Sequence, residues 1–163
     1  MILKYCPPER LVIDEDTLEF CEPRGSVRSK VKAAYREDNN VFQMPEAEPL
    51  YVRRDIYEGT GSDETFFMLS YDGDDLLSEV EVHACDRIEV MGVSFGFNDD
   101  LEAIAFALSD IAELTILSDG EYFFKELKLT ISSKRKMGSE GDTLGYFYCG
   151  ADVSHLENAN AIG

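Results

Sequence analysis

Residues 79–97 read Glu-Val-Glu-Val-His-Ala-Cys-Asp-Arg-Ile-Glu-Val-Met-Gly-Val-Ser-Phe-Gly-Phe, and this stretch decides the fold class. Its first six residues alternate polar and apolar side chains: Glu79, Glu81 and His83 alternate with Val80, Val82 and Ala84. This two-residue period is typical of a β-strand with one buried face. The apolar phase then changes twice, which predicts a turn at Cys85 to Arg87 and a bulge near Gly92.

Strand signals continue on both sides of this stretch. Val, Ile, Phe and Tyr are frequent in four further runs, which are separated by clusters rich in Gly, Asp and Ser. These runs are Leu50 to Tyr57, Thr65 to Tyr71, Glu121 to Ser132 and Gly145 to Cys149. Near the start of the chain, Arg10 to Ile13 and Thr17 to Cys21 flank the acidic turn Asp14 to Asp16. Because carboxylates suit tight turns, this pattern predicts a hairpin.

The clearest predicted helix covers residues 98–114. Asn98 is a favourable N-cap, and the acidic residues of the first turn complement the helix dipole. Apolar residues recur at helical spacing: Leu101, Ile104, Ala105, Leu108, Ile111 and Ala112. We expect an amphipathic helix of about four turns that packs on a sheet through this stripe.

Residues 24–36 form a cationic block that contains five Lys or Arg residues and no acid. As a strand, the block places Val27, Val31 and Tyr35 on one face. As a helix capped by Ser26, it stacks Val27, Val31, Ala34 and Tyr35 on one side. The propensities of Lys, Ala and Arg slightly favour the helix, and both alternatives remain open.

These elements predict an α+β fold in a single domain over residues 1–163. Its main part is a largely antiparallel, curved sheet, with one long amphipathic helix (residues 98–114) packed on it. Regular β-α-β alternation, which would indicate a parallel sheet, is absent from the sequence. The tail over residues 158–163 is predicted to be loose.

The charge of the chain indicates its class of partner. Thirty-three Asp and Glu residues oppose 15 Lys and Arg residues, giving a formal charge of −18, beyond the magnitude of about 2 to 8 usual for a small domain. The hydrophobic content of 44% excludes an acidic disordered chain. Such a charge repels nucleic acid and attracts cationic surfaces, so we expect a basic protein as partner and no direct contact with nucleic acid or a membrane.

No catalytic or metal-binding motif accompanies this charge, so we expect no enzyme, cofactor or metal. The four cysteines are widely spaced and the opening residues show no export signal, which predicts reduced thiols in a cytoplasmic protein. His83 falls on the polar side of its predicted strand. The run Asp72-Gly73-Asp74-Asp75 lacks the spacing of an EF-hand loop and indicates a turn.

The densest carboxylate run is the predicted partner-binding face. It comprises Asp72, Asp74, Asp75, Glu79, Glu81 and Asp86. Binding of a basic protein at this face would suit an immunity protein against a bacterial nuclease toxin, or an inhibitor that mimics nucleic acid. Two alternatives remain: a non-enzymatic scaffold that self-associates through a strand edge, and an enzyme that uses paired carboxylates. The sequence leaves the oligomeric state open.

Overall fold

The computed structural model of this chain describes residues 1–59 and 64–159. The described part holds 13 strands and three short helices. The strands are β1 (Ile2–Cys6), β2 (Arg10–Ile13), β3 (Asp16–Glu19), β4 (Arg36–Phe42), β5 (Leu50–Glu58), β6 (Phe66–Tyr71), β7 (Leu77–Ala84), β8 (Arg87–Val90), β9 (Val93–Phe95), β10 (Leu114–Ser118), β11 (Glu121–Phe124), β12 (Leu129–Ser133) and β13 (Leu144–Gly150). The helices are α1 (Arg24–Val31), α2 (Leu101–Ser109) and α3 (Ser154–Ala159).

The strands form two sheets, and antiparallel pairing dominates both. The first sheet has five strands in the order β3-β2-β1-β8-β9, and only its β1–β8 pair is parallel. The second sheet has eight strands in the order β10-β11-β12-β13-β7-β6-β5-β4. The predicted class, an α+β-like fold made mostly of antiparallel sheet, is therefore confirmed in outline.

The two sheets share one hydrophobic core. Leu3 and Tyr5 of β1 are buried in the same cluster as Phe67 of β6 and Phe147 of β13. The rings of Tyr5 and Phe147 meet edge to face at 6.3 Å. The Tyr5 hydroxyl donates a hydrogen bond to the carbonyl of Leu127 at 2.8 Å, so its one polar atom is satisfied inside the core.

The prediction of one long helix over residues 98–114 is wrong. Helix α2 begins at Leu101, because Asp100 rather than Asn98 is the N-cap and accepts a hydrogen bond from the Ala103 amide at 2.9 Å. Helix α2 ends at Ser109, and from Leu114 the chain is a strand that pairs with β11. The run Leu-Thr-Ile-Leu there gains more from pairing in the sheet than from continuing the helix.

The buried stripe of α2 is shorter than predicted for the same reason. Leu101, Ile104 and Leu108 are buried as expected, whereas Ile111 is exposed in the turn that follows the helix. No helix in the described ranges, 1–59 and 64–159, combines the length and apolar character needed to cross a membrane.

The cationic block at residues 24–36 divides between the two predicted alternatives. Its first part is α1, which begins at Arg24 after Pro23, so Ser26 is not the N-cap. Lys32 has a left-handed backbone (φ 52°), and its amide bonds back to the Arg28 carbonyl and closes the helix. The last residue of the block, Arg36, is the first residue of β4.

The other predicted strands and turns need two corrections. The hairpin around Asp14 to Asp16 is present as β2 and β3. Met91 and Gly92, both with positive φ, form a two-residue turn between β8 and β9 in place of the predicted bulge. The run 121–132 is two strands, because the chain turns over residues 125–128.

The predicted loose tail, residues 158–163, begins inside a helix. Asn158 and Ala159 belong to α3. Residues 160–163 lie outside the described part of the chain.

Candidate functional site

The six predicted binding residues lie in three places. Asp72, Asp74 and Asp75 lie in the turn between β6 and β7, Glu79 and Glu81 lie on β7, and Asp86 follows β7. The structure gives these carboxylates different surroundings, so they do not form one uniform acidic face.

Three of the six contribute to local structure. Asp75 lies 2.8 Å from Arg53 and 3.5 Å from Arg24, and Asp86 pairs with the amino group of Met1. The Asp72 carboxylate accepts hydrogen bonds from the backbone amides of Asp74 (2.9 Å) and Leu76 (3.0 Å) and thereby shapes the turn. Asp74 is exposed at this turn.

Glu79 and Glu81 lie together on the outward face of β7. Val80 and Val82, which alternate with the two glutamates along the strand, are completely buried in the core. The alternation predicted from the sequence is therefore confirmed. Tyr148 of β13 lies opposite Glu81 in the strand register, and its hydroxyl donates a hydrogen bond to Glu79 at 3.0 Å. One tyrosine therefore lies beside both carboxylates.

Aromatic rings continue this face toward the end of β7. The imidazole of His83 stacks on Phe66 of β6, with ring centres 5.0 Å apart, and contacts Tyr146 of β13 at 5.2 Å. We call the six side chains that share this face the carboxylate–aromatic strip. They are Phe66, Glu79, Glu81, His83, Tyr146 and Tyr148.

The two tyrosines of the strip remain neutral phenols at physiological pH. Burial raises the pKa of Tyr148, and the charge of Glu79 raises it further. Burial and the charge of Glu81 raise the pKa of Tyr146 in the same way. Each phenol therefore keeps its proton and presents a donor beside a carboxylate.

In the described part of the chain, the carboxylates of the strip have no Lys or Arg neighbour. Among the residues of ranges 1–59 and 64–159, neither Lys nor Arg lies within ion-pair distance of Glu79 or Glu81. The nearest basic group is the Nε2 atom of His83, 3.9 Å from Glu81, and this buried atom has no hydrogen-bond partner in the described part of the chain. The side chain of Glu81 is only 19% exposed. Its charge is thus partly withdrawn from water, and no Lys or Arg of the described residues compensates it.

Asp55 of β5 is a carboxylate of the same sheet that is neutralised, in contrast to Glu79 and Glu81. Its side chain is completely buried, and it accepts hydrogen bonds from Arg24 (2.6 and 3.2 Å) and Arg28 (2.7 and 2.8 Å). Burial alone would raise the pKa of Asp55, but the hydrogen bonds from Arg28 and Arg24 outweigh it and hold the pKa below its ordinary value. We call these three residues the arginine–aspartate cluster.

The sequence did not indicate this cluster, although it carried one signal. Asp55 interrupts a strand rich in aliphatic and aromatic residues, where a charged residue needs a buried partner. The cationic block supplies that partner, since its first two arginines turn inward from α1. Their guanidinium groups also lie over rings, Arg24 over Tyr71 at 4.8 Å and Arg28 over Tyr35 at 4.2 Å.

A cleft of about 700 Å³ adjoins the strip at Phe66 and His83. Its charged lining is mixed, since Arg87 and Lys134 face it together with Asp86 and Asp99. Burial raises the pKa of the Cys85 thiol in this cleft to about 12, so Cys85 is protonated at neutral pH and is a poor nucleophile. The cleft therefore presents no activated thiol.

The strip can receive a cationic side chain. Its carboxylates supply acceptors, and its rings supply π faces on which a guanidinium or ammonium group can lie. Within the described residues, no group of three or more His, Cys, Asp and Glu side chains is arranged to hold a metal ion. Neither a protein-family model, nor a curated protein, nor a solved structure matches this chain.

Proposed function

We propose that this protein binds a basic protein and neutralises its activity, and that a cationic side chain of the partner enters the carboxylate–aromatic strip. A nuclease toxin or another nucleic-acid-binding protein is the class of partner that we favour, because such proteins carry cationic surfaces that face phosphates. In this proposal the protein acts as an immunity protein or as a mimic of nucleic acid.

The observation that carries the proposal is the pair Glu79 and Glu81. A carboxylate that leaves water without a compensating cation destabilises the fold, and proteins normally pair such a group. Asp55 follows that rule with two arginines. Glu79 and Glu81 instead have tyrosine and histidine neighbours and, among the described residues, no Lys or Arg in ion-pair distance, which leaves their charge available to a cation from outside.

The rest of the described surface supports the same class of partner. Many Lys and Arg side chains already pair with carboxylates, such as Arg53 with Asp75 and Lys125 with Glu157. Other carboxylates of the described part are exposed with no Lys or Arg in ion-pair distance, and they include Asp14, Glu15, Asp74, Glu102, Asp110, Glu113 and Glu126. The resulting negative field would attract a basic protein before the strip engages it.

The test is affinity capture of partners from a lysate of the native host with three immobilised proteins. These are the wild type, the strip variant Glu79→Gln/Glu81→Gln, and the control variant Glu102→Gln/Glu113→Gln, which loses the same two charges on and after α2. We expect the wild type and the control to retain a basic protein that the strip variant loses. The captured protein is then identified, purified and titrated against all three.

Salt and activity assays complete this test. The association rate should fall steeply as NaCl rises from about 0.05 to 0.3 M, whereas dissociation changes less. The purified partner should lose its activity in the presence of the wild type. Equal binding to the strip variant and the control would exclude the strip as the site, and the lack of any salt-sensitive basic partner would refute the proposed function.

A further inference from the structure

The β4–β5 hairpin extends beyond the rest of the eight-stranded sheet. Strand β5 pairs with β6 only from Arg54 onward, whereas its earlier residues pair with β4 alone. We call this extension, residues 39–42 and 50–53, the tip ribbon. Strand β4 is the edge strand of the sheet. The backbone groups on the side of β4 away from β5 therefore have no neighbouring strand in the described part of the chain.

The tip ribbon exposes apolar side chains on both faces. Val41 pairs with Tyr51 on one face, and Phe42 pairs with Leu50 on the other. All four side chains are more than half exposed. An isolated two-stranded ribbon is marginal in water, and an exposed apolar cluster of this kind marks an interaction surface.

The charges along β4 are balanced locally, although the chain as a whole is strongly acidic. Glu37 lies 2.6 Å from Arg28 and Asp38 lies 2.6 Å from Arg54. Arg36 lies 3.7 Å from Glu58. Two copies of the chain can therefore approach along β4 with less repulsion than elsewhere on their acidic surfaces, and the exposed carboxylates nearest to the tip are Glu46 and Glu48 of the loop between β4 and β5.

We propose that a second copy of this chain pairs with β4, antiparallel, about a two-fold axis at Val41. In this register Val41 lies opposite Val41 of the second copy, and each Tyr51 flanks the pair on the same face. Asn40 of one copy lies opposite Phe42 of the other. Because β4 ends at Phe42, this register pairs Asn40 to Phe42 of one copy with the same three residues of the other, and the two ribbons form a four-stranded extension at the tip.

The apolar surface at the tip suffices for a weak dimer. The four side chains and nearby Met44 expose on the order of 500 Å² in each copy. Edge-to-edge pairing covers only the part of this surface that lies beside the paired strands, so the interface buries less than about 1,000 Å² and belongs to the weak, transient class. We therefore expect a dissociation constant in the micromolar range rather than an obligate dimer.

The test is the mass of the full chain by sedimentation equilibrium from about 1 to 500 µM. The wild type should reach the mass of two chains, and about 0.5 M NaCl should not dissociate it, because apolar contacts and backbone hydrogen bonds hold it. A wild type that remains monomeric at the highest concentration, or forms a dimer that salt dissociates, would overturn the proposal.

Charge variants at Val41 test the two-fold axis itself. Val41→Lys and Val41→Glu each place like charges opposite one another and should raise the dissociation constant about tenfold or more. An equimolar mixture of the two should dimerise again, because a Lys then faces a Glu. This recovery also shows that both variants are folded, and its failure with two folded variants would reject the register.

Ile116→Lys is the matched control, because Ile116 is an exposed β-branched residue on β10, the opposite edge strand of the same sheet. This variant should dimerise like the wild type. Loss of the dimer in Ile116→Lys, with no effect of the Val41 variants, would assign self-association to β10 and reject the β4 interface.

Discussion

Asp55 and Glu81 lie on strands of one sheet, separated by a single strand, and their surroundings differ completely. Asp55 is held by two arginines inside the protein, whereas Glu81 lies beside rings and hydroxyl groups with no Lys or Arg in ion-pair distance among the described residues. The difference separates two uses of negative charge in this chain. In the arginine–aspartate cluster, ion pairs hold α1 against the sheet. In the carboxylate–aromatic strip, we propose, the charge binds a ligand.

Removal of the Asp55 charge should have the largest effect on the free energy of unfolding. Asp55→Asn leaves the buried Arg24 and its neighbour Arg28 without their anion, so we expect the free energy of unfolding to fall by about 3–5 kcal/mol in urea denaturation. Glu37→Gln removes only the exposed partner of Arg28 and should cost less than about 1 kcal/mol. Equal effects of the two variants would show that burial does not distinguish these carboxylates.

The pH dependence of stability should also report the ion pairs of Asp55, with a smaller change in the free energy of unfolding. Because the folded pKa of Asp55 lies below its unfolded value, its contribution is complete above about pH 5 and is lost as the pH falls through the folded pKa. The difference between wild type and Asp55→Asn should therefore shrink between about pH 5 and pH 2.

A neutral core variant provides the control for this titration. Leu108→Ala removes a completely buried side chain of α2 and should cost about 2–5 kcal/mol at each pH at which the protein remains folded. If the Asp55→Asn difference were as constant with pH as that of Leu108→Ala, Asp55 would have an ordinary pKa in the folded protein.

The smallest effect is expected in the strip. Glu79→Gln/Glu81→Gln keeps the acceptor for the Tyr148 hydroxyl and removes two partly buried charges, so the free energy of unfolding should stay within about 1 kcal/mol of wild type or rise slightly. A loss of more than about 2 kcal/mol in urea denaturation would show that these carboxylates stabilise the fold, as Asp55 does.

Local patterns in the sequence predicted much of the sheet. The alternation at residues 79–84 placed Glu79 and Glu81 outward and Val80 and Val82 inward, as the structure has them. The two-residue period of a strand needs no knowledge of neighbours. Helix α2 was predicted too long because the stripe continues at Ile111, and only pairing of residues 114–118 with β11 shows where the helix must stop.

The surroundings of the candidate site could not be predicted in the same way. Tyr148, which donates to Glu79, lies 69 residues away along the chain, and Asp55 lies 31 residues from Arg24. Contacts of this kind depend on strand order, which hydrophobic period and propensity do not encode. The sequence therefore indicated where carboxylates are dense, but not which of them are neutralised inside the protein.

The parallel pairing of β1 with β8 has a consequence for the time course of folding. Leu3 lies beside Ile88 in this pair, so the first sheet closes only when segments 85 residues apart have met. Such a non-local contact carries a large loop-closure entropy and places the chain among slow-folding β-rich proteins. On a ribosome, β1 leaves the exit tunnel long before its parallel neighbour β8 has been synthesised. We therefore expect the hairpin of β2 and β3 and the meander from β4 to β7 to form early, with the five-stranded sheet completed last.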